Sequence, residues 1–273
     1  MRFGLRFGWR LVILVSMAAA LVEPACCQES FQITPSARFL LGMESDYLWT
    51  WGNILIPAGG RPGSGTRVTL NELNVESTEG SSVHFQAVIL ENHFINFDYL
   101  MFMPTGLTRV KREFRFQNKT YERGVSVETK LDINWLRLAY GYKLRELGNV
   151  ILAPRIGIHH VRQAITLNGE TAEVGLLSNT RRLDGTYPVI GLDTRYLLPY
   201  GIDLSLEMEG IHLVTRGFLA MAQATLLWEV RPDVVLSLRA NNRTVHYLET
   251  NQRLNNEWFY NVLSFSIGAA FTF

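Results

Sequence analysis

The sequence predicts an all-β protein: an antiparallel β-barrel crossing a membrane with about ten strands, or with eight or twelve if the runs divide differently. Three observations carry this. Ten stretches alternate apolar with polar residues, at 38–54, 83–91, 94–104, 124–144, 149–166, 186–198, 202–215, 218–230, 234–248 and 257–273. A tilted membrane-spanning strand needs about 9–11 residues, which these runs supply. The connections alternate between short and long, as the two ends of a membrane barrel do. Finally, apart from the N-terminus, no apolar run approaches the roughly 20 residues of a membrane-spanning helix.

The chain opens with the layout of a secretory signal. Arg2, Arg6 and Arg10 precede an apolar stretch from Leu11 to Val22, and Ala25-Cys26-Cys27 forms a small-residue cleavage site. Residues 1–27 are therefore expected to be removed, leaving 28–273 as one barrel domain. Acylation of Cys26 or Cys27 is the rival. Three residues before these cysteines stand Glu23 and Pro24, where a lipidation signal places an apolar residue. Both cysteines lie at this junction, so no internal disulfide is expected. With 26 Lys+Arg against 25 Asp+Glu, the net charge of +1 gives no basic excess for nucleic acid.

Short turns are expected at Glu91 to His93, Arg145 to Gly148, Pro199 to Gly201 and Arg231 to Asp233, after strands 2, 4, 6 and 8. Long loops are expected at 55–82, 105–123, 167–185 and 249–256, with a tight exception at Arg216-Gly217. The first of these, PAGGRPGSG at its centre, reads as a mobile loop outside the barrel.

Successive strand side chains point to opposite faces, so alternation assigns them. In the last strand Phe265, Ile267, Ala269, Phe271 and Phe273 are expected outside, with Ser264, Ser266, Gly268 and Thr272 inside. Leu204, Leu206 and Met208 alternate with inward Asp203, Ser205, Glu207 and Glu209. Leu236, Leu238 and Ala240 alternate with inward Arg239, Asn241 and Arg243, and inward Gln223 and Thr225 alternate with Ala222, Ala224 and Leu226. Trp49, Trp51, Tyr140, Tyr142, Tyr196 and Trp228 are candidates for interfacial aromatic girdles.

The chain end, Ser266-Ile267-Gly268-Ala269-Ala270-Phe271-Thr272-Phe273, resembles the terminal assembly signal of bacterial outer-membrane β-barrels. It follows the pattern polar–x–Gly–x–x–aromatic–x–aromatic, and the mature chain as a whole resembles small barrels of that family with no characterised activity. The resemblance covers only the last strand closely. It implies a Gram-negative outer-membrane location, with outer-membrane lipids and lipopolysaccharide as surroundings. It also implies recognition by the barrel-assembly machinery through Gly268, Phe271 and Phe273, and a last strand paired to the first. On this footing the short turns are periplasmic and the long loops external.

The inward set holds eight acids, Glu44, Asp46, Asp98, Asp193, Asp203, Glu207, Glu209 and Glu229, and six bases, Arg137, Lys143, Arg155, Arg195, Arg239 and Arg243. A ten-stranded barrel is narrow, and open diffusion pores belong to barrels of about 16–18 strands. Such a lumen is better filled by ion pairs than by water. Glu207 and Glu209 lie roughly 6.6–7 Å apart along one strand face, a spacing that could serve acid–base work. Arg239 and Arg243 are expected to engage them as a ladder of ion pairs instead.

Three activities suit a small barrel: lipid or lipopolysaccharide hydrolysis, proteolysis and solute passage. A hydrolase needs a nucleophile, a His and an acid together. His84 faces inward near the first long loop and is placed to reach Asp46 on strand 1. His159 also faces inward, beside Arg155 and Gln163. No G-x-S-x-G elbow occurs and no Ser is tied by spacing to either His, so His84 and Asp46 are the weak catalytic candidates. The adjacent His159-His160 cannot chelate one metal from a regular strand, and no cofactor motif is present. In the 105–123 loop, Arg109, Lys111, Arg112, Arg115 and Lys119 form a candidate surface for lipopolysaccharide phosphates or anionic glycans, with Arg123 beside them and Arg181 and Arg182 in the next loop. The expected role is structural, binding or narrow-conduit, without enzymatic activity; the alternative is a lipid or lipopolysaccharide hydrolase using an inward His.

Overall fold

The computed structural model describes residues 37–55, 65–75, 77–89, 92–117, 119–171, 175–213, 217–251 and 254–273. The signal segment 1–27, with Cys26 and Cys27, lies outside the described residues. Ten strands form the wall: β1 Ala37–Leu55, β2 Ser77–Ile89, β3 His93–Phe102, β4 Ser126–Tyr142, β5 Val150–Thr171, β6 Gly175–Leu198, β7 Ile202–Leu213, β8 Gly217–Arg231, β9 Val234–Asn251 and β10 Leu254–Thr272. Each pairs antiparallel with its sequence neighbours, and β10 pairs with β1 from Leu40↔Thr272 to Leu55↔Glu257, which closes the barrel. Phe39 and Phe273 exchange backbone hydrogen bonds of 3.0 and 3.1 Å across that seam, so no edge remains there.

The expected faces hold through this part of the wall. Leu206, Met208, Leu238 and Phe265 are exposed, whereas Ser205, Glu207, Gln223, Asn241 and Ser266 are buried. All six candidate girdle aromatics are exposed as well.

Higher on the same strands, the alternation keeps its phase but reverses its polarity. In β4 the inward residues run Arg137, Trp135, Ile133, Leu131, from charged to apolar. Their outward neighbours run Tyr140, Leu138, Leu136, then Asn134, Asp132, Lys130. In β6 inward Asp193 gives way to Val189, Tyr187 and Leu183, while outward Leu192 and Ile190 give way to Thr186, Asp184 and Arg182. Toward the short turns the barrel is apolar outside and charged inside, as lipid requires. Toward the long loops it is apolar inside and polar outside, as water requires.

This reversal corrects two expected loops. The 167–185 and 249–256 segments are largely strand: β5 and β6 pair out to Thr171↔Gly175, and β9 and β10 out to Asn251↔Leu254. Once the outer face meets water, a strand no longer needs apolar outward residues, so it reads like a polar loop.

The other long connections enter the lumen. Arg67–Thr69 pairs with β1, then a turn over Leu70–Asn74 is held by a reciprocal capping box. Thr69 N–H donates to Glu72 Oε2 (2.8 Å), and Glu72 N–H donates to Thr69 Oγ1 (3.0 Å). Asn74, at φ 57°, ends the turn in the left-handed region that Asn tolerates. The turn presents Leu70 and Leu73 to the interior, both buried. The expectation of a wholly external loop therefore fails for 66–75; residues 56–64, with most of the Gly/Pro stretch, lie outside the described residues. In the 105–123 segment, Thr105–Arg109 continues along β4, and Phe114–Phe116 pairs with Lys119–Tyr121. Val110, Phe114, Phe116 and Tyr121 join Val68, Leu70, Leu73 and Val75 in an apolar cap with Phe102, Ile133, Ile165 and Trp258.

Candidate functional site: the charged layer of the lumen

Below the cap, every strand contributes a polar side chain to one layer. Register builds part of it directly: His84 (β2), Asp98 (β3), Arg137 (β4) and His159 (β5) are successive cross-strand partners. Arg155 (β5), Gly191 (β6) and Glu209 (β7) form a second row, beyond the intervening row of Ala139, Gly157 and Val189. A Cβ on Gly191 would stand 2.5 Å from Glu209 Cγ, so the absence of a side chain there is what lets Glu209 cross toward β4 and β5. Gly268 does the same for Glu44, whose Cγ would lie 2.5 Å from an added Cβ.

Arg137 is the hub and is 2% exposed. It donates from Nη1 to Asp98 Oδ2 (2.8 Å), from Nη2 to Glu207 Oε2 (2.6 Å) and from Nε to Glu209 Oε2 (3.0 Å). Arg155 meets the same acids, with Nη1 2.6 Å from Glu207 and Nε 3.3 Å from Glu209. Arg155 and Arg195 also sit over the Phe94 ring at 5.4 and 5.3 Å, a favourable cation–π arrangement. Asp193 accepts from Ser205 (2.9 Å) and Arg195 (3.2 Å).

His159 has one defined tautomer. The Trp135 indole N–H donates to its Nδ1 (2.9 Å), so that nitrogen carries no proton, and Nε2–H donates to Glu209 Oε2 (2.8 Å). The ring is therefore neutral and acts as a bridge between the cap and the charged layer.

The expected ladder forms with other partners. Glu207 and Glu209 engage Arg137 and Arg155, not Arg239 and Arg243. Gln223 of β8 and Asn241 of β9 stand in register beside Glu207 and separate it from β9's arginines. Arg239 instead faces Glu44 (3.5 Å) and Asp98 (3.6 Å), with Nη1 2.7 and 2.8 Å from the two ring nitrogens of His84. The Arg243 guanidinium lies 5.3 Å from the Trp135 ring, is buried, and forms no ion pair among the described residues.

His84 likewise finds other acids than Asp46. In register it opposes Gly42, which leaves Asp46 four positions further along β1, about 13 Å away at strand rise. Its Nδ1 meets Asp98 in a short contact, and its Nε2 lies 3.1 Å from both Glu44 Oε2 and Ser82 Oγ. Asp46 accepts from Ser266. Ser82–His84–Asp98 thus has the hydrogen-bond order of a nucleophile–base–acid relay. Sequence reasoning passed over Ser82, although two residues on one strand share a face. Ser82 is 3% exposed and Glu44 competes for the same nitrogen. A small cleft of about 60 Å³ reaches His84, Asp98, Arg137 and Glu207, and an adjoining one of about 130 Å³ opens beside Arg38, Asp203 and Glu229 at the short-turn end.

Of the expected basic surface, Arg109, Lys111, Arg112 and Arg115 are exposed and Lys119 is half-buried. Arg112 is engaged by Glu72 (2.9 Å), and Lys119 Nζ lies 3.5 Å from the Ser178 carbonyl. Among the described residues no group of three or more His, Cys, Asp or Glu is placed to hold a metal.

A closed, ten-stranded antiparallel barrel with this apolar belt has the fold of bacterial outer-membrane β-barrels. The sequence matches no protein-family model and no curated protein. Among solved structures the chain is similar to the outer-membrane protease OmpT of Escherichia coli, at 11% identity and TM-score 0.60, over 90% of this chain and 99% of that one. It also aligns with the transport unit of the autotransporter AIDA-I of Escherichia coli (9% identity, TM-score 0.40, 95% and 98% covered). The translocator domain of autotransporter NalP from Neisseria meningitidis aligns at 9% identity and TM-score 0.39, over 97% and 95%.

Proposed function

We propose that this chain is an integral protein of the bacterial outer membrane, delivered by a cleaved signal at 1–27, whose shut lumen serves a structural and binding role without enzymatic activity. The observation that supports it is the double closure: a charged layer knitted around Arg137 and an apolar cap above it. Buried charges paired around Arg137 and Arg155 rigidify a narrow barrel and would leave no continuous water path for a conduit. Binding then falls to the external tip, where Arg109, Lys111 and Arg115 are free to meet anionic glycans. The test is single-channel recording in planar bilayers. No conductance above the bare-membrane baseline is expected, and discrete steps would overturn the shut lumen.

A hydrolase is the second reading, favoured by the Ser82–His84–Asp98 contacts alone. OmpT is a protease, but at 11% identity its likeness concerns the wall of the barrel and transfers no activity. Covalent labelling of the native protein by a fluorophosphonate, abolished by Ser82→Ala, would establish the hydrolase; no labelling is expected, because the hydroxyl is enclosed.

A further inference from the structure

The outward faces of β4, β5 and β6 form a graded surface in which each cross-strand row can be read in turn. The rows Tyr140–Ile156–Ile190 and Leu138–Ile158–Pro188 are apolar, and their large side chains are exposed. The next row, Leu136–His160–Thr186, is mixed, with His160 Nδ1 3.0 Å from Thr186 Oγ1. Above it come three polar rows: Asn134–Arg162–Asp184, Asp132–Ala164–Arg182 and Lys130–Thr166–Thr180. Rows on one face are two residues apart, roughly 6.6–7 Å along the strand, so the polar rows begin within one headgroup's height of the apolar belt.

Barrel walls are convex, yet these rows enclose a concavity of about 950 Å³. Beyond Phe102 the chain runs on in unbroken register through exposed Met103 to Thr105, which pairs with Lys130 and forms one rim. Ala164, the smallest outward side chain of the three rows, forms the floor between Asp132 and Arg182. Arg162 meets Asp184 (3.2 Å) and Lys130 meets Glu128 (3.3 Å), both pairs exposed to solvent. Arg182 is exposed and forms no ion pair among the described residues.

We propose that this concavity holds the phosphorylated sugar headgroup of a glycolipid of the outer leaflet, its acyl chains lying on the apolar rows below. Continuity selects the occupant: a molecule seated here shares a surface with the lipid-facing belt, so its lower part is hydrocarbon. Chemistry selects the headgroup. Arg182, with Lys130 and Arg162 beside it, offers charge-assisted donors to phosphate, while Thr105, Asn134 and Asp132 can exchange hydrogen bonds with sugar hydroxyls. The site differs from the tip cations Arg109, Lys111 and Arg115. It rests on the outer-membrane placement proposed above but not on the shut lumen.

The test is native mass spectrometry of the full, folded protein titrated with bisphosphorylated lipid A and with its phosphate-free counterpart. Wild type and the short-turn variant Arg231→Ala, at the opposite end of the wall, are expected to bind bisphosphorylated lipid A alike and the phosphate-free form more weakly. Arg182→Ala/Lys130→Ala should weaken binding about tenfold or more, the worth of one or two charge-assisted hydrogen bonds. Ala164→Phe, which fills the floor without touching a charge, should weaken it comparably. All substituted groove positions face outward, so folding is preserved, as heat-modifiable gel migration would verify. Equal binding of the phosphate-free lipid, wild-type affinity in both groove variants, loss of binding in the short-turn variant, or no lipid A binding by wild type would each overturn the proposal. Conductance measures the shut lumen separately, so a silent barrel that binds no lipid A sinks this site alone.

Discussion

Around Arg137 the lumen is packed with carboxylates and guanidinium groups carried by the strands, whereas nearer the long loops it is packed with Leu, Ile, Phe and Trp, many of them carried in by loops. The two regions fill the same tube with opposite chemistry. The outside explains why. At the charged level the wall's outer face is Leu206, Met208 and Leu238, committed to lipid. At the capped level it is Asp132, Arg162 and Arg182. A narrow barrel surrounded by lipid has spent its apolar alternate positions outward and must fill itself with polar groups that satisfy one another. Once surrounded by water it can build an ordinary apolar core, and loops can complete it. The charged layer depends on geometry, because each unpaired ion is costly; the cap depends on area and packing, which degrade gradually.

The largest effect is expected where the charged layer loses its hub. Arg137→Met leaves Asp98, Glu207 and Glu209 short of a shared cation. Removing one partner of a buried ion pair costs about 3–5 kcal/mol. Chemical unfolding in lipid vesicles should show the whole transition displaced, and an unchanged midpoint would mean that water, not Arg137, satisfies these acids. A smaller and more local effect is expected in the cap. Leu73→Ala removes a side chain that is 2% exposed, for about 2–5 kcal/mol in a rigid core. The low end is expected, because a loop can settle into the space. Limited proteolysis should speed within 66–75 and 110–125 while single-channel conductance stays at baseline, as the proposed seal at the Arg137 layer requires. Conductance steps in this variant would show that the cap alone was the seal.

The contrast also explains what could be read from the sequence. The strands and the phase of their faces followed from alternation, because lipid demands large apolar residues outside and leaves charges conspicuous inside; the pairing of the last strand with the first was what the resemblance of the chain end implied. Above Leu136 the same phase continues, but Asp184 and Arg182 outside look like loop residues, and so the end of β5 and the first half of β6 read as a loop. Partners were harder than faces. That Glu209 reaches Arg137 rather than Arg243 depends on Gly191 making room on the β6 side, and on Met221 standing in register between Glu209 and Arg243. The capping box Thr69–Glu72 was passed over in the sequence, and only the fold shows that its turn points into the barrel.

The smallest expected effect lies at the solvent rim of the cap and marks the far end of the comparison. Glu72 accepts from Arg112 Nε (2.9 Å) and from the Thr69 N–H, and Arg112 also donates to the Arg67 carbonyl (2.9 Å). The Arg112 hydrogen bond, joined by the backbone donor, holds the Glu72 carboxyl below its ordinary range. A carboxyl lowered by folding stabilises the folded form fully above its unfolded pKa, and that contribution is lost as pH falls through the lowered value. Both side chains are well exposed, at 56% for Arg112 and 38% for Glu72, so water and salt screen the pair to about 0.2–1 kcal/mol. Proteolysis at 66–75 should therefore quicken by no more than about fivefold below the ordinary carboxylate range. Glu72→Gln should abolish that acid step, and raised salt should shrink it. Undiminished acid sensitivity in Glu72→Gln would place the titrating group deeper, in the charged layer itself, and would mean that protonating the layer loosens the cap through the Trp135–His159–Glu209 bridge.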